Sequence, residues 1–156
     1  MSGTGSAGHS IELVAAGDLG DLLPMMRAYC DFYNVAPADR DLLAMSRALI
    51  ADPEHEGLQL IARDPTNAAI GFATIFWSWS TLSASRIGVM NDLFVAPAAR
   101  GAGIARALIA ACREHCAQRG ASSLTWQTAR DNTRAQVLYD GIGARRAEWL
   151  DYSLKT

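Results

Sequence analysis

The sequence predicts an α/β fold: an α+β mixed sheet with helices on its faces. Three observations lead there. The chain has 156 residues, of which 50% are hydrophobic and 19% charged, and no repeat or mid-chain linker divides it, so residues 11–156 read as a single domain with a real core. Stretches of period two alternate with stretches of helical period, in the order β-α-α-β-β-β-α-β-α-β. Residues 86–95 are apolar on both faces, the mark of a strand covered on both sides.

Residues 11–15 read as a short first strand. Asp18 stands where it can cap a helix starting near Leu19, and Leu22, Met26, Tyr29 and Tyr33 recur along it at helical spacing. Residues 34–37 break it. A second helix spans 39–51, with Leu42, Leu43, Ser46, Leu49 and Ile50 on one side, and Asp52-Pro53 ends it. Residues 58–63 form a strand, 64–67 (Asp-Pro-Thr-Asn) a turn, and 70–80 an aromatic and β-branched strand that completes a hairpin. The strand over 86–95 follows. Residues 101–119 form a long helix whose apolar stripe is Ile104, Leu108, Ala111, Cys112 and His115, and Gly120 suits its end. A strand over 123–128, a helix over 132–139 and a last strand over 146–154 complete the order.

Composition excludes several functions. There are 14 Lys and Arg against 16 Asp and Glu, a net charge of −2, which provides no general field for nucleic acid or an anionic membrane. No apolar run approaches the roughly 20 residues of a membrane-spanning helix. Residues 1–10 are Gly/Ser-rich without a basic or apolar stretch, so they read as a flexible N-terminal tail and not as a secretory signal. Three cysteines, Cys30, Cys112 and Cys116, form no disulfide framework, and a cytoplasmic location is expected. The charge is uneven: residues 1–60 hold nine acids and three bases, the remainder seven acids and eleven bases.

The most informative segment follows Val95. A buried strand ends, Pro97 makes a turn, and Gly101 and Gly103 open a helix. Such a turn aims several backbone N–H groups at one spot, and the helix N-terminus adds partial positive charge, so the loop suits a pyrophosphate. A dinucleotide fingerprint would need a third glycine where Arg106 stands, and a Walker loop would need Gly-Lys-Ser/Thr. Glycines that only tighten the start of a helix remain the plain structural alternative.

These residues also carry a resemblance. Arg100, Gly101, Ala102, Gly103, Ile104 and Ala105 match the Arg/Gln-x-x-Gly-x-Gly/Ala motif of the GNAT superfamily of N-acetyltransferases. Leu93-Phe94-Val95 resembles that family's fourth strand. Asn132, Ala135 and Leu138-Tyr139, with Gly141 and Gly143, resemble the helix and turn that follow. The order of elements fits along nearly the whole chain. Residues 90–95, Trp126, residues 134–139 and the Tyr29-x-x-Phe32-Tyr33 helix end look most like the histone/polyamine acetyltransferase branch.

The resemblance implies a GNAT fold and an enzyme that moves acetyl from acetyl-CoA directly to a primary amine in a ternary complex. The acceptor would be a small cationic amine or a lysine or N-terminal amine of a peptide. Neither a metal nor nucleic acid nor a membrane is a partner in this reading, and a homodimer is expected. A non-catalytic acetyl-CoA or CoA-binding regulatory module of the same fold is the alternative. In the family, amides of the motif loop hold the pyrophosphate, a role that falls on Arg100 to Ala105. Main chain of Phe94, Val95 and Ala96 would bind the pantetheine arm where the fourth strand splays from the fifth, and the Val95 amide would polarise the thioester carbonyl. Asn132 would bind the same arm and cap its helix. Tyr139 matches the family's general acid, a phenol that stays protonated at neutral pH and can protonate the departing thiolate. Related polyamine enzymes carry a base Glu where this chain has Asn91, so the expected base is Asp92 or an acid of the first two helices acting through water, the alternative being an amine whose pKa is already low. By strand alternation Asp92 should face away from Asn91. Tyr29, Asp31, Phe32 and Tyr33 would border the acceptor site with Asn91.

Weaker signals remain. Trp77 and Trp79 share a strand face with Ala73 and Ile75; they read as core, or as an acceptor wall where an amine rests on an indole. Cys112, His115 and Cys116 share a helix side, but three residues on a core stripe are a poor metal set. The positively biased portion holds the expected CoA site, with Arg100, Arg130 and Arg134, and the acidic portion the two helices expected beside the acceptor.

Overall fold

The structure, a computed structural model, describes residues 8–156. Its elements are β1 (Ser10–Leu13), α1 (Leu19–Phe32), α2 (Asp39–Ala51), β2 (Gly57–Arg63), β3 (Ala69–Ser80), β4 (Ser85–Val95), α3 (Ile104–Gln118), β5 (Leu124–Thr125) and α4 (Thr133–Gly141). The five strands lie in sequence order in one sheet. β1 to β4 pair antiparallel and β5 joins β4 in parallel. The expected mixed sheet is therefore present. The tail reading of residues 1–7 lies outside the described residues, and Ser10, assigned to that tail, already pairs with Arg63.

Two cores flank the sheet. On one face Leu22, Met25 and Met26 of α1 pack with Ile61 and Phe72, and Leu42 and Leu43 of α2 close the layer. On the other, Ile104, Leu108, Ile109 and Cys112 of α3 pack against Leu58, Leu60, Ala73, Ile75 and Met90. β2 is buried along its whole length, because both cores meet on it. The turn at 64–67 forms as expected, with Asp64 Oδ1 accepting from the Thr66 and Ala68 amides. Arg63, only 8% exposed at its side chain, donates to Asp18 at 2.7 Å, to Asp21 at 2.9 Å and to the Asn67 carbonyl. It ties the start of α1 to the β2–β3 turn.

Several expectations change. Asp18 does not cap α1; its carboxylate accepts from the Ala15 amide at 2.8 Å and so closes a 3-10 turn ahead of the helix. α3 starts at Ile104 and not at 101, because Gly101 and Gly103 sit at φ of +86° and +80°, outside helical space. β5 keeps only two residues. The strand expected over 146–154 does not form: Arg146 pairs with Asp140, and Trp149, Leu150, Tyr152 and Leu154 remain exposed with no ladder beside them.

Candidate active site

The site is built where β4 and β5 part. β5 pairs only with Gly88 and Val89, so from Met90 to Val95 that edge of β4 has no neighbour among the described residues. The opposite edge is fully engaged with β3. The Ala96 amide donates to the Ile70 carbonyl at 2.8 Å, and its carbonyl accepts from Ala99. Consecutive strand amides point to opposite sides, so Phe94 also faces β3 while the Val95 amide faces the open edge. Of Phe94, Val95 and Ala96, Val95 is thus the residue whose amide faces the open edge. Arg100 Nε reaches back to the Val95 carbonyl at 3.2 Å.

Beyond this edge lies the glycine loop. The first amide of α3 to find a backbone acceptor is that of Ala107, bonded to Gly103. Those of Gly101, Ala102, Gly103, Ile104, Ala105 and Arg106 have none among the described residues. Nothing lies within 4 Å of a Cβ built on Gly101 or Gly103, so the glycines are required by their left-handed backbone and leave the loop's face clear. A cluster of free donors at a helix N-terminus, next to an unpaired strand edge, fits an extended molecule ending in phosphates. Asn132 Oδ1 accepts from the Ala135 amide at 3.2 Å, the expected cap of α4, which leaves its Nδ2 as a donor.

The mouth between β4 and β5 is a cavity of about 770 Å³. Tyr29, Tyr33 and Asn91 line it, and so do Trp126, Gln127, Trp149 and Asp151; spacing along the sequence gives no sign of the last three. Asp31 and Phe32 lie at the exposed end of α1, away from this lining. Trp77 is not part of it. β3 holds that indole opposite Gly88, one strand away from the opening, where its Nε1 donates to the Pro53 carbonyl at 2.9 Å and the Arg119 guanidinium lies over its ring. The core reading of Trp77 therefore stands, and Trp79 is a surface residue beneath Arg86.

Behind the cavity is a buried acid. Thr74 pairs with Asp92 and Ile75 with Met90, so Asn91 is an extra residue, a β-bulge in β4. The bulge overturns the alternation argument: Asn91 and Asp92 touch, with Asn91 Nδ2 donating to Asp92 Oδ1 at 2.9 Å. The Tyr29 hydroxyl donates to the Asn91 carbonyl at 3.1 Å. Asp92 is 7% exposed. Burial raises its pKa above the ordinary carboxylate range, against hydrogen bonds from Thr74, Tyr29 and Asn91 that lower it. Gln59 Nε2 donates to Thr74 Oγ1 at 3.1 Å, so a buried polar chain backs the carboxylate. Burial, then the Asp92 charge, pushes the Tyr29 phenol up as well.

Tyr139 is half-buried on α4, its ring edge-on to Trp126 at 5.2 Å between centroids. Burial, then Tyr33, raises its pKa, so it holds its proton at neutral pH. The cysteines of α3 are interior: the Cys112 thiol is pushed up to about 12 by burial, and among the described residues no three His, Cys, Asp or Glu are placed to hold a metal.

Residues 22–144 match the Acetyltransferase (GNAT) family. The chain belongs to it. As a GNAT member it is an acetyl-CoA-dependent N-acetyltransferase. It is 33% identical over 134 residues to the uncharacterised N-acetyltransferase YhfO of Bacillus subtilis, covering 86% of this chain and 88% of that one. A ribosomal-protein-alanine N-acetyltransferase from Brucella melitensis superposes with a TM-score of 0.77 at 25% identity, over 96% of this chain and 100% of its own. The aminoglycoside N-acetyltransferase AAC(6')-Iy in complex with CoA shares the fold, with a TM-score of 0.81 at 22% identity, over 99% of each chain.

Proposed function

We propose that this GNAT enzyme acetylates a primary amine by direct attack in a ternary complex, and that the acceptor is a small cationic amine or a lysine or N-terminal amine. The observation that carries this is the unpaired β4 edge running from the cavity to the free amides of the glycine loop. Acetyl-CoA supplies the activated acetyl group. Gly101 to Arg106 offer donors for its phosphates, with Arg100 beside them. The Val95 amide, pointing into the open edge, is placed to polarise a carbonyl there. Asn132 offers its Nδ2 to the pantetheine arm.

Tyr139 keeps a proton that it can give to a leaving thiolate. An amine must lose one to attack, and Asn91 cannot take it. Asp92 lies one hydrogen bond behind Asn91, and Tyr29, which bonds the Asn91 carbonyl, lines the cavity; in this reading the proton passes to Asp92 through water. The placement of Tyr29, Tyr33 and Trp126 at the cavity supports kinship with the histone/polyamine branch. Exposed apolar residues on the unpaired 144–156 segment support a homodimer, and free thiols on Cys30, Cys112 and Cys116 support a cytoplasmic location. No described helix is long and apolar enough to cross a membrane. A thiol-release assay over a panel of amines tests the reading: amine-dependent CoA release is expected, and acetyl-CoA binding without release on any amine would reinstate the regulatory-module alternative.

A further inference from the structure

A line of polar side chains crosses the apolar core between the sheet and the first two helices. Ser46 of α2 and Gln59 of β2 both donate to Met26 Sδ of α1 at 3.6 Å. Gln59 Nε2 also donates to Thr74 Oγ1 at 3.1 Å, and Thr74 stands opposite Asp92 in the β3–β4 register. All five side chains are buried, in the layer that Leu22, Met26, Ile61 and Phe72 fill. Asp92 alone of them has a part in the acetyl-transfer reading. Polar groups in an apolar layer are costly, so the others call for a reason.

Chemistry gives the line a direction. An ionised carboxylate only accepts, and an amide N–H only donates. Thr74 Oγ1 receives the Gln59 proton on a lone pair, so its own hydroxyl proton is left for Asp92. Gln59 Oε1 is buried without a partner. A side chain chosen for stability alone would pair that carbonyl or be apolar; this one leaves it unpaired while Nε2 serves Thr74. We propose that Gln59, acting through Thr74, is a positioning residue for Asp92: it aims the Thr74 hydroxyl at the carboxylate and so holds it in the form that takes up a proton. This rests on the reading of Asp92 as the base. No cation helps to hold the carboxylate; the other hydrogen bonds come from Tyr29 and Asn91. Tyr29 and Cys30 are the titratable groups of α1 that feel its charge, and burial, then that charge, raises both.

The test titrates Asp92 in the full chain by the NMR shift of its carboxyl carbon, identified as the resonance that Asp92→Asn removes. Thr74→Val should raise the midpoint by about one pH unit, the usual worth of a hydrogen bond to a charged group. Gln59→Met should raise it by less, and should add nothing in the Thr74→Val background, because it acts through that hydroxyl. Thr74→Ser, which keeps the hydroxyl, should stay near wild type. With one amine of the panel used throughout, the acid limb of kcat should move up in the same order. Melting temperature and CoA affinity report that each variant is folded; if Thr74→Val does not fold, the Gln59→Met midpoint decides. A midpoint that neither variant moves, or a Gln59→Met shift that persists in full beside Thr74→Val, overturns the positioning role. A midpoint that moves while the acid limb of kcat stays in place keeps the effect of Gln59 on the carboxylate and sinks Asp92 as the base.

Discussion

The two edges of β4 share one backbone and serve opposite purposes. Toward β3 it is paired from Ser85 to Val95, with Thr74, Ala73 and Ile75 fully buried beside it. Toward β5 the pairing stops after Val89, and the remaining edge looks into a cavity. The closed edge satisfies its polar groups internally and stabilises the fold. The open edge leaves donors for a ligand to satisfy, and any order gained there comes with binding. Substitutions can therefore be sorted by which edge they touch.

The largest effect is expected on the open side. Tyr139→Phe should lower kcat by roughly 10²–10⁴-fold, the usual worth of a general acid, with acetyl-CoA affinity nearly intact; unchanged turnover would remove Tyr139 as the proton donor. On the closed side, Leu108→Ala should destabilise the protein by about 2–5 kcal/mol through lost burial and a residual cavity, read as a fall in denaturation midpoint. A loss well below that range would mean the α3 core is looser than its burial implies. A smaller effect is expected at the loop: Gly103→Val forces a β-branched residue to φ +80°, so acetyl-CoA binding should weaken about tenfold, a cost in the range of left-handed strain. Equal affinity would place the phosphates elsewhere.

The smallest effect concerns two carboxylates. The Ala15 amide and Arg63 hold Asp18 below the ordinary carboxylate range against some burial, so its contribution is present above that range and is lost as pH falls through the lowered pKa. Asp92 behaves oppositely. Its raised pKa means the folded protein binds a proton the unfolded chain has released, so stability declines as pH climbs from the ordinary range to the raised value. Asp92→Asn should flatten that decline in the melting temperature. A steeper decline in the variant would show that Asp92 is not the group responsible.

Much of this division was legible in the sequence. The glycine loop, Tyr139 and the Tyr29/Tyr33 helix end are local signals, because spacing along one element places them. What could not be read depended on partners distant in sequence. The bulge at Asn91 exists only relative to the register of β3, so alternation alone put Asp92 on the wrong face. Trp149 and Asp151 reach the cavity because residues 144–156 run along it without joining the sheet, although their alternation matched a strand. Trp77 followed the correct periodicity and lies on the expected face, against the α3 core, but on β3 and not on the β4–β5 opening, since lateral place in a sheet is not a periodic property.

Asn91 also acts as a phase shift. Met90 and Leu93, three residues apart, both belong to the core under α3, whereas Phe94 packs on the α1 side. In a regular strand residues three apart lie on opposite faces, so it is the bulge at Asn91 that lets both share one. Deleting Asn91 would therefore leave Met90 and Asp92 consecutive opposite Ile75 and Thr74, with Asp92 to Val95 on their present faces. What the deletion removes is the Asn91 side chain and carbonyl, and with them the hydrogen bonds to Asp92 and from Tyr29. One inserted residue thus gives the acid a donor and Tyr29 an acceptor while the strand on either side keeps its alternation.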